Sequence, residues 1–319
     1  MFNPHPTIHA TMMLGLFAVF KTAVATAEAA SMDLEGALIS RVPSGRRRRQ
    51  EFLEAAGPTL LVLTFLEDSL RVVQQWEGQM AFMQSTMRLG YYLGATLLFL
   101  SMLVQTVGSL VVLHAALVPS AKLGLAKRAT WSLLAFTIVQ PFMYGELTNI
   151  DFLCRSLTLA GGLLLCTFAQ SKQVASRPRA SQWGLPQSNF AADKLQLFGR
   201  LMLTLLFFFE ALAGSNSGGL HSLIEAPRLL PAVTAVALIA AAVLIAVGFK
   251  TEWSALLLAC GLVLLDLFWY PFWSAPSYRA DHMRYYFFQT LSVAGGLMLL
   301  AVHGPGAIAL EKRAAEKDF

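Results

Sequence analysis

Long apolar runs separated by short polar stretches dominate the pattern of residues along this chain. Eight such runs lie between residues 50 and 305, each close to the length of about 20 residues that crosses a bilayer as a helix. We place them at 53–76, 88–113, 129–147, 151–170, 197–213, 229–249, 252–273 and 283–303. The pattern predicts an all-α integral membrane protein with eight transmembrane helices.

Composition supports the membrane class and argues against a nucleic-acid partner. The 319 residues are 56% hydrophobic and 13% charged, with a mean hydropathy of +0.57. Soluble domains carry roughly 25% charged residues. The sequence pI is near 9.2, but the basic residues lie between apolar runs and not on one domain face.

The residue types that hold cofactors do not occur in a recognisable pattern. Cys154, Cys166 and Cys260 all fall in apolar runs and form neither a disulfide framework nor a metal-ligand spacing. The six histidines are scattered, and no glycine-rich phosphate loop is present. The sequence therefore gives no positive signal for an enzyme, a cofactor or a metal.

Basic residues predict the orientation of the chain. Sixteen Lys and Arg residues fall on one side of the predicted spans or in the terminal segments on that side, and four fall on the other. The richer side is expected to be cytosolic, with both termini on it. Arg46–Arg49, beside the first run, can also contact anionic membrane lipids.

An internal repeat divides the chain. Residues 155–165 (RSLTLAGGLLL) and 289–299 (QTLSVAGGLML) are identical at six of eleven positions. A weaker similarity relates the first run, with FLE ending at Glu67, to the fifth, with FFE ending at Glu210. The two halves are predicted to be parallel four-helix repeats, because each contains an even number of spans.

The repeat also predicts helix packing and segment boundaries. Glycines allow close helix approach, and the candidates are Gly161, Gly162, Gly295 and Gly296. We predict an interfacial or disordered extension with an arginine cluster, two repeats, a cytosolic linker between them and a cytosolic tail. Their ranges are 1–50 for the extension, 51–170 and 197–303 for the repeats, 171–196 for the linker and 304–319 for the tail.

Charged residues inside the first run form the most conspicuous polar feature. Charges within a spanning helix are costly, so they usually face a bundle interior or a wet cavity. Glu67 and Arg71 are four residues apart and can pair on one face, whereas Asp68 points about 100° away and needs another partner. Two interpretations remain open, a polar site or a structural ion pair.

Most other ionisable groups of the bundle fall in the same, non-cytosolic half. Carboxylates outnumber arginines there, which favours a cationic ligand such as an ammonium group. The alternative for three of these residues is a simple location at the membrane interface; they are Glu146, Asp151 and Arg284. The candidate site residues are Glu67, Asp68, Arg71, Arg155, Glu210, Asp266 and Gln289.

Four segments together resemble the surfeit locus protein 4 family. They are FLEDSLR at 65–71, FLCRSLTLAGGLLL at 152–165, GFKTEWSALLL at 248–258 and YFFQTLSVAGGLMLLAVHGPG at 286–306. The resemblance implies an endoplasmic reticulum (ER) cargo receptor with a lumenal non-cytosolic side. Such receptors bind secretory proteins, often through their mature N-termini, enter COPII vesicles and return from the Golgi by COPI.

This resemblance gives the candidate residues a chemical role. A free α-ammonium group needs a carboxylate partner, which Glu67 or Asp68 can supply, while lumenal aromatic residues can hold apolar side chains.

The tail departs from the dilysine signal of the family, because it ends EKRAAEKDF. Lys312, Arg313 and Lys317 are the candidates for a weak retrieval signal, and a plain solvated tail is the alternative.

Two rival functions remain open. A transporter or channel for a small cation or a proton-coupled solute would use the same carboxylates, but it needs polar groups through the cytosolic half as well. A membrane oxidoreductase would need a redox ligand set, which the sequence does not show.

Overall fold

Helices make up most of the structure, a computed structural model that describes residues 43–118, 123–175, 189–213, 239–306 and 309. No strand occurs among these residues, so the predicted all-α class holds for them. In chain order the helices are α1 (Pro43–Gln74), α2 (Trp76–Ser85), α3 (Tyr91–Leu117), α4 (Leu123–Met143), α5 (Ile150–Ala175), α6 (Asn189–Ala213), α7 (239–247), α8 (Thr251–Trp269) and α9 (Ser277–His303).

Four helices of the described part are long and apolar enough to cross a membrane. They are α3, α5, α8 and α9, through Tyr91–Leu117, Ile150–Gln173, Thr251–Phe268 and Arg279–His303. Helices α1, α4 and α6 also overlap predicted runs but are not among these four. The prediction of a helical membrane protein is therefore supported, and the count of eight spans stays a prediction.

The side chains of α3 are distributed as expected for a helix in lipid. Its buried face is built largely from small and polar residues, Gly94, Ser101, Gln105, Gly108 and Ser109. Its outer face exposes between 45% and 56% of each of Phe99, Leu100, Leu103, Val107 and Leu110. Polar groups inside and apolar groups outside reverse the arrangement of a soluble helix, because lipid is the surrounding solvent.

The chain divides into two compact units, Met1–Phe52 and Leu53–Phe319. In the first, the structure describes only residues 43–52, which belong to α1. The second unit contains one large apolar core and a smaller cluster of Val72, Met80, Met83 and Leu98. The interfacial or disordered extension predicted for residues 1–50 lies mostly outside the described residues, as do the tail beyond residue 309 and residues 176–188 of the linker.

The glycine pairs of the internal repeat lie at helix contacts. On α5, a Cβ atom added to Gly161 would lie 2.7 Å from the carbonyl oxygen of Gly199 on α6. On α9, a Cβ atom added to Gly295 would lie 2.6 Å from the carbonyl oxygen of Gly57 on α1. Both distances are too short for any side chain, so these helices approach closely only because glycine is present.

Hydrogen bonds of hydroxyl groups show the same correspondence between the α5–α6 contact and the α9–α1 contact. Thr158 on α5 donates to the carbonyl oxygen of Met202 on α6 at 3.3 Å. Ser292 on α9 donates to the carbonyl oxygen of Leu60 on α1 at 3.1 Å. The α5–α6 contact and the α9–α1 contact are thus two versions of one interface. Each joins the last helix of one predicted repeat to the first helix of the other.

Candidate functional site

A cavity of about 610 Å³ opens where the ends of α1 and α4 meet the beginnings of α5 and α9. The distribution of basic residues in the loops predicts that this end of the helices is non-cytosolic. Carboxylates outnumber guanidinium groups on its wall by four to two. They are Asp68, Glu146, Asp151 and Asp281, with Arg71 and Arg155.

The α1 wall of the cavity is formed by an ion pair between Asp68 and Arg71. The Arg71 guanidinium binds the Asp68 carboxylate one helical turn away and lies 5.0 Å from the ring centroid of Tyr285 on α9. The side chains of Asp68 and Arg71 are 10% and 23% exposed. This pair therefore combines a mostly buried carboxylate with a guanidinium group that the cavity reaches.

The predicted pairing of Glu67 with Arg71 is wrong. Glu67 lies on the face of α1 that packs against α9, and its carboxylate accepts a hydrogen bond from Nε of Arg284 at 3.0 Å. Arg284 also donates to Gln74 at 3.3 Å. Of Glu67, Asp68 and Arg71 on α1, only Asp68 and Arg71 line the cavity.

The α5 wall is formed by Arg155, which binds two carboxylates. Its Nε donates to Asp151 one turn earlier at 2.9 Å, and its Nη2 binds Glu210 of α6. Its guanidinium also lies 4.7 Å from the ring centroid of Tyr286. The Arg155 side chain is only 4% exposed, so this charge would be strongly unfavourable without its carboxylate partners.

Helix α9 inserts two aromatic rings between these ion pairs. Tyr285 and Tyr286 contact each other edge to face, with ring centroids 5.4 Å apart, and both line the cavity. Tyr270, after α8, stacks on Tyr286 at 5.8 Å. Two aromatic residues of α9 thus separate the arginines of the site.

The structure brings only part of the predicted set to the cavity wall. Asp68, Arg71 and Arg155 line it. Glu67 and Glu210 lie behind it as ion-pair partners, with side chains 5% and 6% exposed. The functional roles of the seven candidates stay predictions.

Asp266 and Gln289 do not line the cavity. Asp266 on α8 is 2% exposed and its carboxylate has no hydrogen-bond partner among the described residues, although Thr290 of α9 approaches it. Gln289 on α9 donates from Nε2 to the Tyr285 hydroxyl at 3.2 Å. Its effect on the cavity is therefore exerted through Tyr285.

Some wall residues were not among the sequence candidates. Asp281 accepts a hydrogen bond from Gln75 at 2.8 Å and lies 3.5 Å from Arg284. Glu146 and Asp151, interpreted as possibly interfacial, are on the wall as well. All three flank the ends of apolar runs. Only their convergence in space distinguishes them from ordinary interfacial charges.

An apolar layer lies deeper in the bundle than the charged groups. Leu61, Leu163, Leu203 and Leu297 come from four helices, and each is at most 1% exposed. They lie six to eight residues along their helices from Glu67, Arg155, Glu210 and Gln289, about 10 Å of helix rise. Within the described residues, no group of three or more His, Cys, Asp or Glu side chains is placed to hold a metal ion.

The sequence profile of the SURF4 family matches residues 45–316 of this chain. The chain belongs to the SURF4 family. The match includes α1 from residue 45 onwards, all of α2 to α9 and all the residues of the cavity wall. The site is therefore part of the SURF4 region of the chain.

Three relatives show the extent of the SURF4 similarity. The surfeit locus protein 4 homolog of Schizosaccharomyces pombe is 31% identical over 82% of this chain and 82% of its own length. The homolog of Drosophila melanogaster is 29% identical over 83% and 91%. The ER-derived vesicles protein ERV29 of Saccharomyces cerevisiae is 26% identical over 79% and 74%. No solved structure gives a significant match to this SURF4 chain.

Proposed function

We propose that this protein is a cargo receptor of the ER membrane. It captures soluble secretory proteins on the lumenal side, carries them into COPII vesicles and returns to the ER through COPI. Membership of the SURF4 family supports this proposal, and the name of the relative ERV29 associates that protein with ER-derived vesicles. The structural observation that carries it is the acidic, aromatic cavity at the end of the bundle assigned to the lumen.

The chemistry of the cavity suits the mature N-terminus of a secretory protein. An α-ammonium group is a cation with three donors, and the excess of carboxylates on the wall supplies acceptors. The rings of Tyr285 and Tyr286 offer apolar surface next to those carboxylates. A chain end entering the cavity would thus meet both kinds of contact that it needs.

The rival function, a conduit for a cation or proton, is less compatible with the interior. A conduit needs polar groups or water on both sides of the bundle midpoint. Here the layer of Leu61, Leu163, Leu203 and Leu297 lies directly beneath the charged groups. A binding pocket closed at its inner end fits this arrangement better than a continuous path.

Client identification tests the proposal. Lumenal proteins that crosslink to the receptor are identified in cells that express wild type, Asp68→Asn or the control Glu252→Gln. Cells that lack the receptor are treated in the same way and give the background. Glu252 is an exposed carboxylate at the other end of the bundle, in the first turn of α8. We expect secretory proteins with wild type and the control and far fewer with Asp68→Asn. An identical crosslinked set in cells without the receptor would refute the function.

A further inference from the structure

The two versions of the repeated interface place a carboxylate at the same position but surround it differently. Asp68 lies eleven residues after Gly57 on α1, and Glu210 lies eleven residues after Gly199 on α6. Gly57 and Gly199 occupy equivalent contacts with Gly295 and Gly161. The contacts therefore align Asp68, and not Glu67, with Glu210.

The partners of these carboxylates differ between the two versions. In the α5–α6 interface, Arg155 binds Glu210 across the interface and Asp151 on its own helix. In the α9–α1 interface the equivalent positions are occupied by Gln289 and Tyr285, joined by a hydrogen bond of 3.2 Å. A neutral amide thus stands where the other half has a guanidinium group.

In the α9–α1 interface the guanidinium group comes from Arg71 and not from position 289. Asp68 binds Arg71 of its own helix, and the residue equivalent to Arg71 on α6 is Ala213. Arg155 is 4% exposed, whereas Arg71 is 23% exposed on the cavity wall. One half therefore holds its carboxylate in a closed ion pair, and the other holds it in a pair that a ligand can reach.

We propose that the two halves have separate tasks: Asp151–Arg155–Glu210 is a fixed structural ion cluster, and Asp68–Arg71 is an exchangeable pair that opens to bind a ligand. This inference rests on the proposed receptor function and specifies its site. Gln289 is the positioning residue, because its neutral amide leaves Asp68 without a guanidinium partner from across the interface and holds the Tyr285 hydroxyl beside the cavity.

The exchange defines the chemical class of the ligand. A ligand ammonium group would take the place of Arg71 at the Asp68 carboxylate. Arg71 would then lose its partner, and an unpaired guanidinium group in a mostly buried position is strongly unfavourable. The ligand must also offer an acceptor to Arg71. The amino end of a peptide has both groups close together, the ammonium and the first carbonyl oxygen.

Peptide binding to the purified full-length receptor tests this inference. The probe is a short fluorescent peptide beginning Ala-Val-Leu, with a free or an acetylated amino end. For wild type we expect at least tenfold tighter binding of the free form. Asp68→Asn and Gln289→Arg should lose this preference, the second because its guanidinium occupies Asp68 from across the interface.

Two further variants exclude a merely structural explanation. Gln84→Arg adds a guanidinium group at an exposed position of α2 that is not part of the cavity wall, and it should keep the preference for the free amine. Arg71→Ala should lower the thermal stability, and Arg71→Ala/Gln289→Arg should restore it without restoring amine binding. That result would show that an arginine side chain at position 289 pairs with Asp68 in the same way as Arg155 pairs with Glu210.

The outcomes separate the inference from the proposed function. Equal binding of both peptides by wild type, an unaltered preference in Gln289→Arg, or no recovery of stability in the double variant would each overturn the inference. If secretory clients still crosslink to the receptor in cells, the receptor function stands and the amine site lies elsewhere. Loss of those clients as well would overturn both.

Discussion

Gly162 of α5 and Gly296 of α9 face each other at the centre of the bundle: a Cβ atom added to Gly296 would lie 3.2 Å from the Cα atom of Gly162. Each of these glycines follows another, Gly161 or Gly295, that contacts a different helix. The repeated glycine pair therefore joins four helices, α1, α5, α6 and α9. The charged groups of the site project from the same four helices on the side of this crossing where α5 and α9 begin.

A methyl group at Gly295 should destabilise the bundle. In Gly295→Ala the Cβ atom would lie 2.6 Å from backbone atoms of Gly57 and Leu61, which cannot move independently of α1. We expect a loss of about 1–3 kcal/mol, the usual effect of overpacking a core. Thermal unfolding in detergent measures it. The control is Gly261→Ala on α8, where nothing lies within 4 Å of the added atom, and a loss equal to the control would contradict the prediction.

Removing Arg155 alone should be more harmful than removing its ion pair with Glu210. Arg155→Met takes the guanidinium group away from Asp151 and Glu210, and breaking a buried ion pair costs about 3–5 kcal/mol. The double variant Arg155→Met/Glu210→Met should recover part of that loss, since the deeper carboxylate is also gone. Equilibrium unfolding of wild type, both single variants and the double variant gives the interaction free energy.

An exposed carboxylate is the control for this double-mutant cycle of Arg155 and Glu210. The Asp281 side chain is 55% exposed in its pair with Arg284. Asp281→Asn should change the free energy of unfolding by less than about 1 kcal/mol, as expected for an exposed pair. Additive effects of the two Arg155–Glu210 substitutions would show that this pair does not stabilise the fold.

Glu67 should contribute more to stability than to ligand binding. Its carboxylate accepts the hydrogen bond from Arg284 behind the cavity wall, whereas Asp68 lines the cavity. We expect Glu67→Gln to lower the unfolding temperature but to keep client co-purification within about threefold of wild type, that is, within about 0.7 kcal/mol. Asp68→Asn should lose most clients. Equal client loss in both variants, at equal stability, would contradict the separation of roles.

Lys317 is the residue with which to test retrieval by the C-terminal tail, which lies outside the described residues. We predict that Lys317→Ser shifts the receptor from the ER towards the Golgi or the cell surface, measured by immunofluorescence. Lys312→Ser/Arg313→Ser tests the other basic candidates. If all variants keep the wild-type distribution, these basic residues have no role in retrieval.

The hydrophobic pattern predicted the all-α membrane class, because a chain in lipid must satisfy its backbone hydrogen bonds within each segment, but it did not predict α2, which lies between two of the predicted runs. The repeat of residues 155–165 and 289–299 correctly indicated where glycines permit close helix contacts. Sequence spacing did not predict the partners of the charges. Glu67 and Arg71 are well spaced for pairing along one helix, but the packing of α9 brings Arg284 to Glu67 instead.

The sequence by itself determined the all-α membrane class, the glycine contacts and the acidic character of one end of the bundle, since these depend on local composition and periodicity. The tertiary structure decided which carboxylates reach the cavity, and that Asp68, not Glu67, corresponds to Glu210. Those properties depend on the angle at which each helix meets its neighbours. A rotation of one residue, about 100°, transfers a side chain from the cavity to a helix interface.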